Sequence, residues 1–425
     1  MSGIRTLAGD TIIYGLSTIL TRMLNYLMVP YLTRVMTAGE YGVVTDLYSL
    51  IPFALVLLTM GLESGYFRFA GKAADGDEKN LIFVTLWSTT IVAAMFFVGM
   101  ASLFHAPIAM GLGYGDTPWI IQATALVIAL DVATAMPFAR LREQRRRIMY
   151  VVVRFVSVVV NLALCVVFYT LQKRTGAEWV LLANVVASAV ALLLLIPTVR
   201  GVKWRADRAI LRRVMVYSLP LLVSGIAGTA GEFIDRQMVK WLMPPEVAMS
   251  ALGVYGAATK LAVIMILFTQ MYRLAAEPFF LSRFGRGEFA RQSGLAMKLY
   301  IAVAAVIFVV VMAAKPLVVL IVGEEFREGS HLLPILLGAN ALAGVVLNLS
   351  FWYKQAERTW MAIAVTGTGL AVALGLNMVL VPRMGYEGAA WARLACEAAM
   401  VVVSWILVLR IKKRYDSENH QQIGE

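Results

Sequence analysis

Charge is scarce in this chain of 425 residues: 15% are Asp, Glu, Lys or Arg against 60% hydrophobic, and mean hydropathy is +0.76. That balance excludes a soluble globular protein and leaves a polytopic membrane protein. Cysteine is scarcer still. Cys165 and Cys396 both fall inside hydrophobic stretches without metal-like spacing, so neither a disulfide nor a zinc site is expected. The histidines His105, His331 and His420 are scattered and fit loop or interface positions. No Walker loop, G-x-S-x-G, H-E-x-x-H or Cys-x-x-Cys pair occurs, so ATP hydrolysis in this chain is not expected, and no cofactor or metal is called for. Short alternating apolar segments are missing as well. The apolar stretches are long and continuous, which selects helices over a transmembrane barrel. A cleavable signal peptide is not expected: Thr11–Thr33 is too long for a signal core, carries Arg22 in its middle and lacks a small-residue cleavage pattern.

What is present is a succession of apolar runs of bilayer length. They predict twelve transmembrane helices, at about 11–33, 41–67, 80–104, 118–139, 148–171 and 178–199, then 212–242, 247–272, 293–313, 331–352, 360–381 and 388–409. The net charge of +12 sits between these spans, which points to membrane topology and not to nucleic acid. Of the 38 Lys and Arg, 25 lie in the N-terminus, alternate loops and the C-terminus, a bias that puts both termini in the cytoplasm. A shift of 211 residues superposes Gly42–Val43 on Gly253–Val254, Met60 on Met271, Phe69 on Phe280, Gln144 on Gln355 and Arg147 on Arg358. Six spans per repeat is an even number, so the expected halves share one orientation and relate by a pseudo-two-fold axis along the membrane normal. The expected organisation is an N-lobe over 1–199, a cytoplasmic linker over 200–211, a C-lobe over 212–409 and a basic tail over 410–425.

Ionisable groups inside the spans are the informative feature, because each costs roughly 2.5–3.5 kcal/mol on insertion scales. In the seventh span Ser218, Gly225, Thr229, Glu232, Arg236 and Lys240 fall along one helical face, with Asp235 beside it. In the first, Tyr14, Thr18, Arg22 and Asn25 share a face. Arginine cannot shed its proton, so Arg22 requires an anion, a carboxylate partner or water. In the second span Asp46, Ser49, Met60 and Glu63 are expected along one side, Asp46 near the outer end and Glu63 near the inner. Asp131 in the fourth span and Arg154 in the fifth sit deeper, where an inter-helix pair is the plain alternative to a functional role. Lys260 lies in the eighth span. The candidate substrate-binding residues are thus Arg22, Asn25, Arg154, Arg236 and Lys260. The candidates for ion coupling or gating are Asp46, Glu63, Asp131, Glu232 and Asp235. A cation-rich chamber suits a diphosphate better than a cationic drug, since arginine makes several charge-assisted bonds to phosphate oxygens. Pro30 and Pro220 are candidate hinges, with ordinary kinked packing as the alternative.

Four short motifs in their order, Gly39-Glu40-Tyr41-Gly42-Val43, Asp235-Arg236, Gly253-Val254-Tyr255 and Arg383-Met384-Gly385-Tyr386-Glu387-Gly388-Ala389-Ala390, resemble the O-antigen and polysaccharide flippases. These belong to the multidrug/oligosaccharidyl-lipid/polysaccharide exporter superfamily. The resemblance implies two six-helix lobes in a V, with spans 1, 2, 7 and 8 lining a central cavity. It also implies alternating-access transfer of a polyprenyl-diphosphate-linked oligosaccharide from the inner to the outer leaflet of the bacterial inner membrane, for surface polysaccharide or lipopolysaccharide assembly. Membrane lipids, a proton or sodium ion and a polysaccharide polymerase are the partners to expect, with no nucleic acid. A drug exporter of the MATE type, coupled to a cation and using the carboxylates, is the alternative on the same fold. A membrane-bound glycan ligase or polymerase would need large outer loops, and the longest here is about Ala313–Ser330.

Overall fold

The computed structural model describes residues 26, 28–200, 202, 204–281, 286–356, 358 and 360–423, the side chains of 224, 227, 228, 232, 278, 281, 286, 287 and 413–423 excepted. Among them the backbone is helical almost throughout: α1 (28–35), α2 (Ala38–Thr59), α3 (Leu62–Ala70), α4 (Gly76–Leu103), α5 (His105–Gly111), α6 (Trp119–Glu143), α7 (Arg147–Val166) and α8 (Glu178–Val199). There follow α9 (Arg208–Leu242), α10 (Pro245–Leu261), α11 (Val263–Leu281), α12 (Arg286–Ala313), α13 (Lys315–Ile321), α14 (Leu333–Gln355), α15 (Trp360–Met384) and α16 (Tyr386–Ile423). Nine helices among the described residues are long and apolar enough to cross a membrane, or ten if α10 and the first part of α11, bent by 46°, form one span. The chain is therefore a multi-pass membrane protein. The expected spans from the second to the twelfth all fall on described helices, but the second is divided between α2 and α3 and the eighth between α10 and α11; the first lies mostly outside the described residues.

Local signals account for the helix ends. Asp75 caps α4 by accepting the Glu78 N–H at 2.8 Å, and Asp77 and Glu78 occupy the first turn, where carboxylates complement the helix dipole. Arg140 and Arg142 occupy the last turn of α6, the favourable end for cations. Gly385, at φ 61, makes the one-residue turn between α15 and α16. The second span departs from expectation. Met60 at φ 51 and Gly61 at φ 67 break it, ending α2 and starting α3 on a new axis. This takes Glu63 off the face expected to join it to Asp46, because the 3.6-residue period holds only within one continuous helix.

The chain divides into two compact units, residues 1–28 with 43–229 and residues 29–42 with 230–425, so that the boundary falls inside α2 and inside α9. In the first unit the core gathers Leu62, Tyr66, Phe83, Trp87, Met136 and Val214, with a second layer around Phe138, Tyr150 and Leu195. Gly225 of α9 lies against Val56, where a Cβ would come within 3.0 Å, whereas Gly231 faces open space. Close helix packing thus explains Gly225 but not Gly231.

In the second unit the core runs through Leu252, Tyr255, Met265, Tyr300 and Leu336, with an aromatic layer of Phe280, Phe289, Phe351 and Trp352. Here two glycines that the 211-residue shift superposes, Gly42 and Gly253, approach each other. A Cβ on Gly42 would collide with the Met249 carbonyl, and one on Gly253 with the Ala38 carbonyl. Backbone atoms cannot swing aside as a side-chain tip can. Gly42→Ala and Gly253→Ala are each expected to destabilise the protein by about 1–3 kcal/mol. Gly231→Ala, in open space, should be neutral or slightly stabilising. Thermal denaturation of the three purified variants in detergent checks this; equal melting temperatures would contradict the close contact.

Candidate functional site

The deepest charged cluster of the second unit ties three helices together. Asp235 of α9 is buried, accepts the Asn377 side-chain N–H of α15 at 3.2 Å and pairs with the Arg393 guanidinium of α16 at 3.3 Å. Asp235 lies seven residues before the end of α9, Asn377 seven before the end of α15, and Arg393 seven after the start of α16. At a rise of 1.5 Å per residue, all three sit about 10 Å from those helix ends, which is why they meet. The pairing offsets the cost of removing a carboxylate from water. Arg236, the next residue on α9, is half-buried. One residue along a helix turns the side chain by about 100°, so Arg236 leaves α9 in a different direction from Asp235.

Lys260 lies near the end of α10, beside the bend into α11. Its ammonium donates to the Tyr41 hydroxyl at 3.0 Å and stands 5.0 Å over the ring centre. Tyr41 is buried and packs edge-on against Phe326 at 5.4 Å, so the phenol is held in place for the cation. Around this corner, Glu325 accepts the Ala38 N–H at 2.7 Å at the start of α2, and Arg34 donates to the Leu320 carbonyl at 3.0 Å.

In the first unit the buried carboxylate of Asp46 accepts the Tyr114 hydroxyl at 2.5 Å. Burial, and then the Asp46 charge beside it, hold the Tyr114 phenol well above its ordinary range, so Tyr114 remains the donor. Asp131 of α6 accepts from Ser188 of α8 at 2.8 Å. Arg154 of α7 is exposed and lies 4.0 Å over the Phe138 ring, within electrostatic reach of Asp131. The nearest structural expectation for these two, a direct pair, gives way to a hydroxyl bond for the acid and a ring for the cation. Glu63 pairs with Arg142 at the far end of α6 from Tyr114, in a belt with Lys79–Glu143 at 2.9 Å and Arg140–Asn80 at 2.7 Å. Arg22 and Asn25 lie outside the described residues, as does the Glu232 side chain.

Asn377, Arg393, Tyr114, Ser188 and Tyr41 were not among the candidates. The available signal was that a polar side chain in an apolar span must find a partner. Arg393 and Asn377 meet that description; tyrosines and serines, which also serve at interfaces and in ordinary packing, do not stand out in the same way. Among the described residues no group of three or more His, Cys, Asp or Glu is placed to hold a metal ion. Among the described candidates the positive groups are thus Arg236 and Lys260 on α9 and α10 with Arg154 on α7, and the carboxylates Asp46, Asp131 and Asp235 on α2, α6 and α9, with Glu63 on α3.

A family model described as "Polysaccharide biosynthesis protein" matches residues 7–282. The succinoglycan biosynthesis transport protein ExoT of Rhizobium meliloti (strain 1021) is 23% identical over 246 residues, covering 57% of this chain and 47% of the relative. The match therefore spans about half the length of that relative. Two solved structures share the fold. An inward-facing multidrug resistance MATE family transporter of the MOP superfamily aligns with TM-score 0.74 at 12% identity over 95% of this chain and 99% of that one. The lipid II flippase MurJ in an inward closed conformation aligns with TM-score 0.76 at 13% identity over 93% of this chain and 87% of that one.

Proposed function

Since the chain belongs to the polysaccharide biosynthesis protein family and is a multi-pass membrane protein, we propose that it is a transporter, not an enzyme, and turns a polyprenyl-diphosphate-linked oligosaccharide from the inner to the outer leaflet for surface polysaccharide assembly. The observation that carries this reading is the extent of the family match: residues 7–282 include Arg22, Arg236 and Lys260. The succinoglycan transport protein and the lipid II flippase, by their names, act on glycan or lipid-linked glycan, which supports the same substrate class.

In this account Arg22, Arg236 and Lys260 bind the diphosphate and lower the cost of moving its charge through a low-dielectric region. The lipid tail stays in the bilayer. Lobes over 1–199 and 212–409, joined by 200–211, alternate between inward and outward access. The Lys/Arg distribution supports an inner-membrane protein with both termini, including the tail 410–425, in the cytoplasm. Asp46 and Asp235 are the coupling candidates for a proton or sodium ion. The buried carboxylates also favour a second reading, a cation-coupled drug exporter of the MATE type. Asp235 counts against it, because Arg393 already supplies its counter-charge.

Deletion of the gene separates the two. The flippase reading expects loss of a surface polysaccharide, accumulation of its lipid-linked precursor and unchanged drug susceptibility, all restored by the full chain. Intact surface glycan with increased drug susceptibility would contradict it.

A further inference from the structure

Within the first unit, α2, α4 and α6 do not close completely on one another. They leave a groove of about 780 Å³, roofed by α5 and lined by Leu50, Phe53, Leu57, Phe97, Met100 and Phe104 among others. That volume lies in the range of small-molecule and cofactor sites. Among the described residues no charged side chain lines it and Thr124 supplies the one hydroxyl. That hydroxyl donates to its own helix at the Ile120 carbonyl, 2.8 Å away. A polar headgroup finds nothing there; only a hydrocarbon chain fits the chemistry.

The groove opens onto the membrane-facing surface. Leu57, Met100 and Phe104 in its wall are 40–44% exposed, and on α4 they continue into Val92, Met95 and Phe96 at 60–69%. On α4 and α6 the lining residues cluster at the ends nearest α5, away from the Lys/Arg-rich loops. An ordinary acyl chain gains little by entering, since lipid tails are as apolar as the wall itself. Selection has to come from shape and from the aromatic faces. Three phenylalanine rings and a polarizable, adaptable methionine suit a chain carrying flat, methyl-branched double bonds at regular intervals. We propose that this groove seats the isoprenoid tail of a polyprenyl lipid. The proposal rests on the flippase reading for its occupant and concerns the lipid tail alone.

The test needs no transport. Full-length protein with p-benzoylphenylalanine at Met100 or Leu57 is reconstituted into phosphatidylethanolamine–phosphatidylglycerol vesicles containing undecaprenyl phosphate as a minor component, then irradiated. Mass analysis of the adducts should show undecaprenyl phosphate enriched at least tenfold over its mole fraction at both positions, and not at Phe96 outside the groove. Filling the groove with Ala54→Trp or Ala101→Trp should abolish the enrichment. Adducts in proportion to lipid abundance at all three positions, or enrichment that survives both tryptophans, would overturn the proposal. Such a result in a chain whose deletion still abolishes surface glycan would remove the tail site alone. Enrichment in a chain whose deletion leaves the glycan intact would instead remove the flippase reading.

Discussion

Arg393→Ala is expected to destabilise the protein by about 3–5 kcal/mol, because it leaves the Asp235 carboxylate buried without its counter-charge. Asp235→Ala removes the same ion pair from the α9 side. The expectation is stronger than the loss of one contact, since Asp235 holds α9, α15 and α16 together at one depth through Arg393 and Asn377. The double variant Asp235→Asn with Arg393→Met should recover most of the loss, as a buried ion pair replaced by neutral groups of similar volume is often neutral or stabilising. Thermal denaturation in detergent, read as a double-mutant cycle, measures the coupling. Single variants that each cost under about 1 kcal/mol and add without coupling would show that the cluster does not hold these helices.

The same cluster shows how much could be seen in advance. Apolar runs mark the helices plainly, because a bilayer permits little else over such lengths. Gly42 and Gly253, which a shift of 211 residues superposes, are neighbours whose backbones touch. What escaped were features decided by a single residue or by tertiary partners. The left-handed pair Met60–Gly61 divides the second span, yet methionine gives no warning of a positive φ. Asp235 was evident as an intramembrane acid. Its partners lie 142 and 158 residues further on, and nothing in local spacing connects them. Asp46 likewise stood out, while the tyrosine that binds it comes from the connection between α5 and α6.

The second large effect concerns the cations proposed to bind the headgroup. Arg236→Ala and Lys260→Ala are each expected to slow transfer by about tenfold to a hundredfold. Charge-assisted hydrogen bonds contribute about 1.5–3 kcal/mol, and 1.4 kcal/mol is a factor of ten. Arg236 is half-buried and Lys260 contacts a tyrosine, not a carboxylate, so neither substitution should cost stability on the scale of Arg393→Ala. Arg236→Lys should retain part of the rate, keeping the charge and losing the planar fork that binds two phosphate oxygens at once. Loss of rate with unchanged abundance in the membrane distinguishes substrate binding from folding.

Transfer of a labelled polyprenyl-diphosphate oligosaccharide across proteoliposomes, followed by the accessibility of its glycan to a hydrolase outside the vesicles, tests the central claim most directly. The account predicts rapid transfer by the unaltered protein, and a rate at least tenfold lower with equal amounts of Arg236→Ala or Lys260→Ala. Transfer at the unaltered rate by both variants would contradict it.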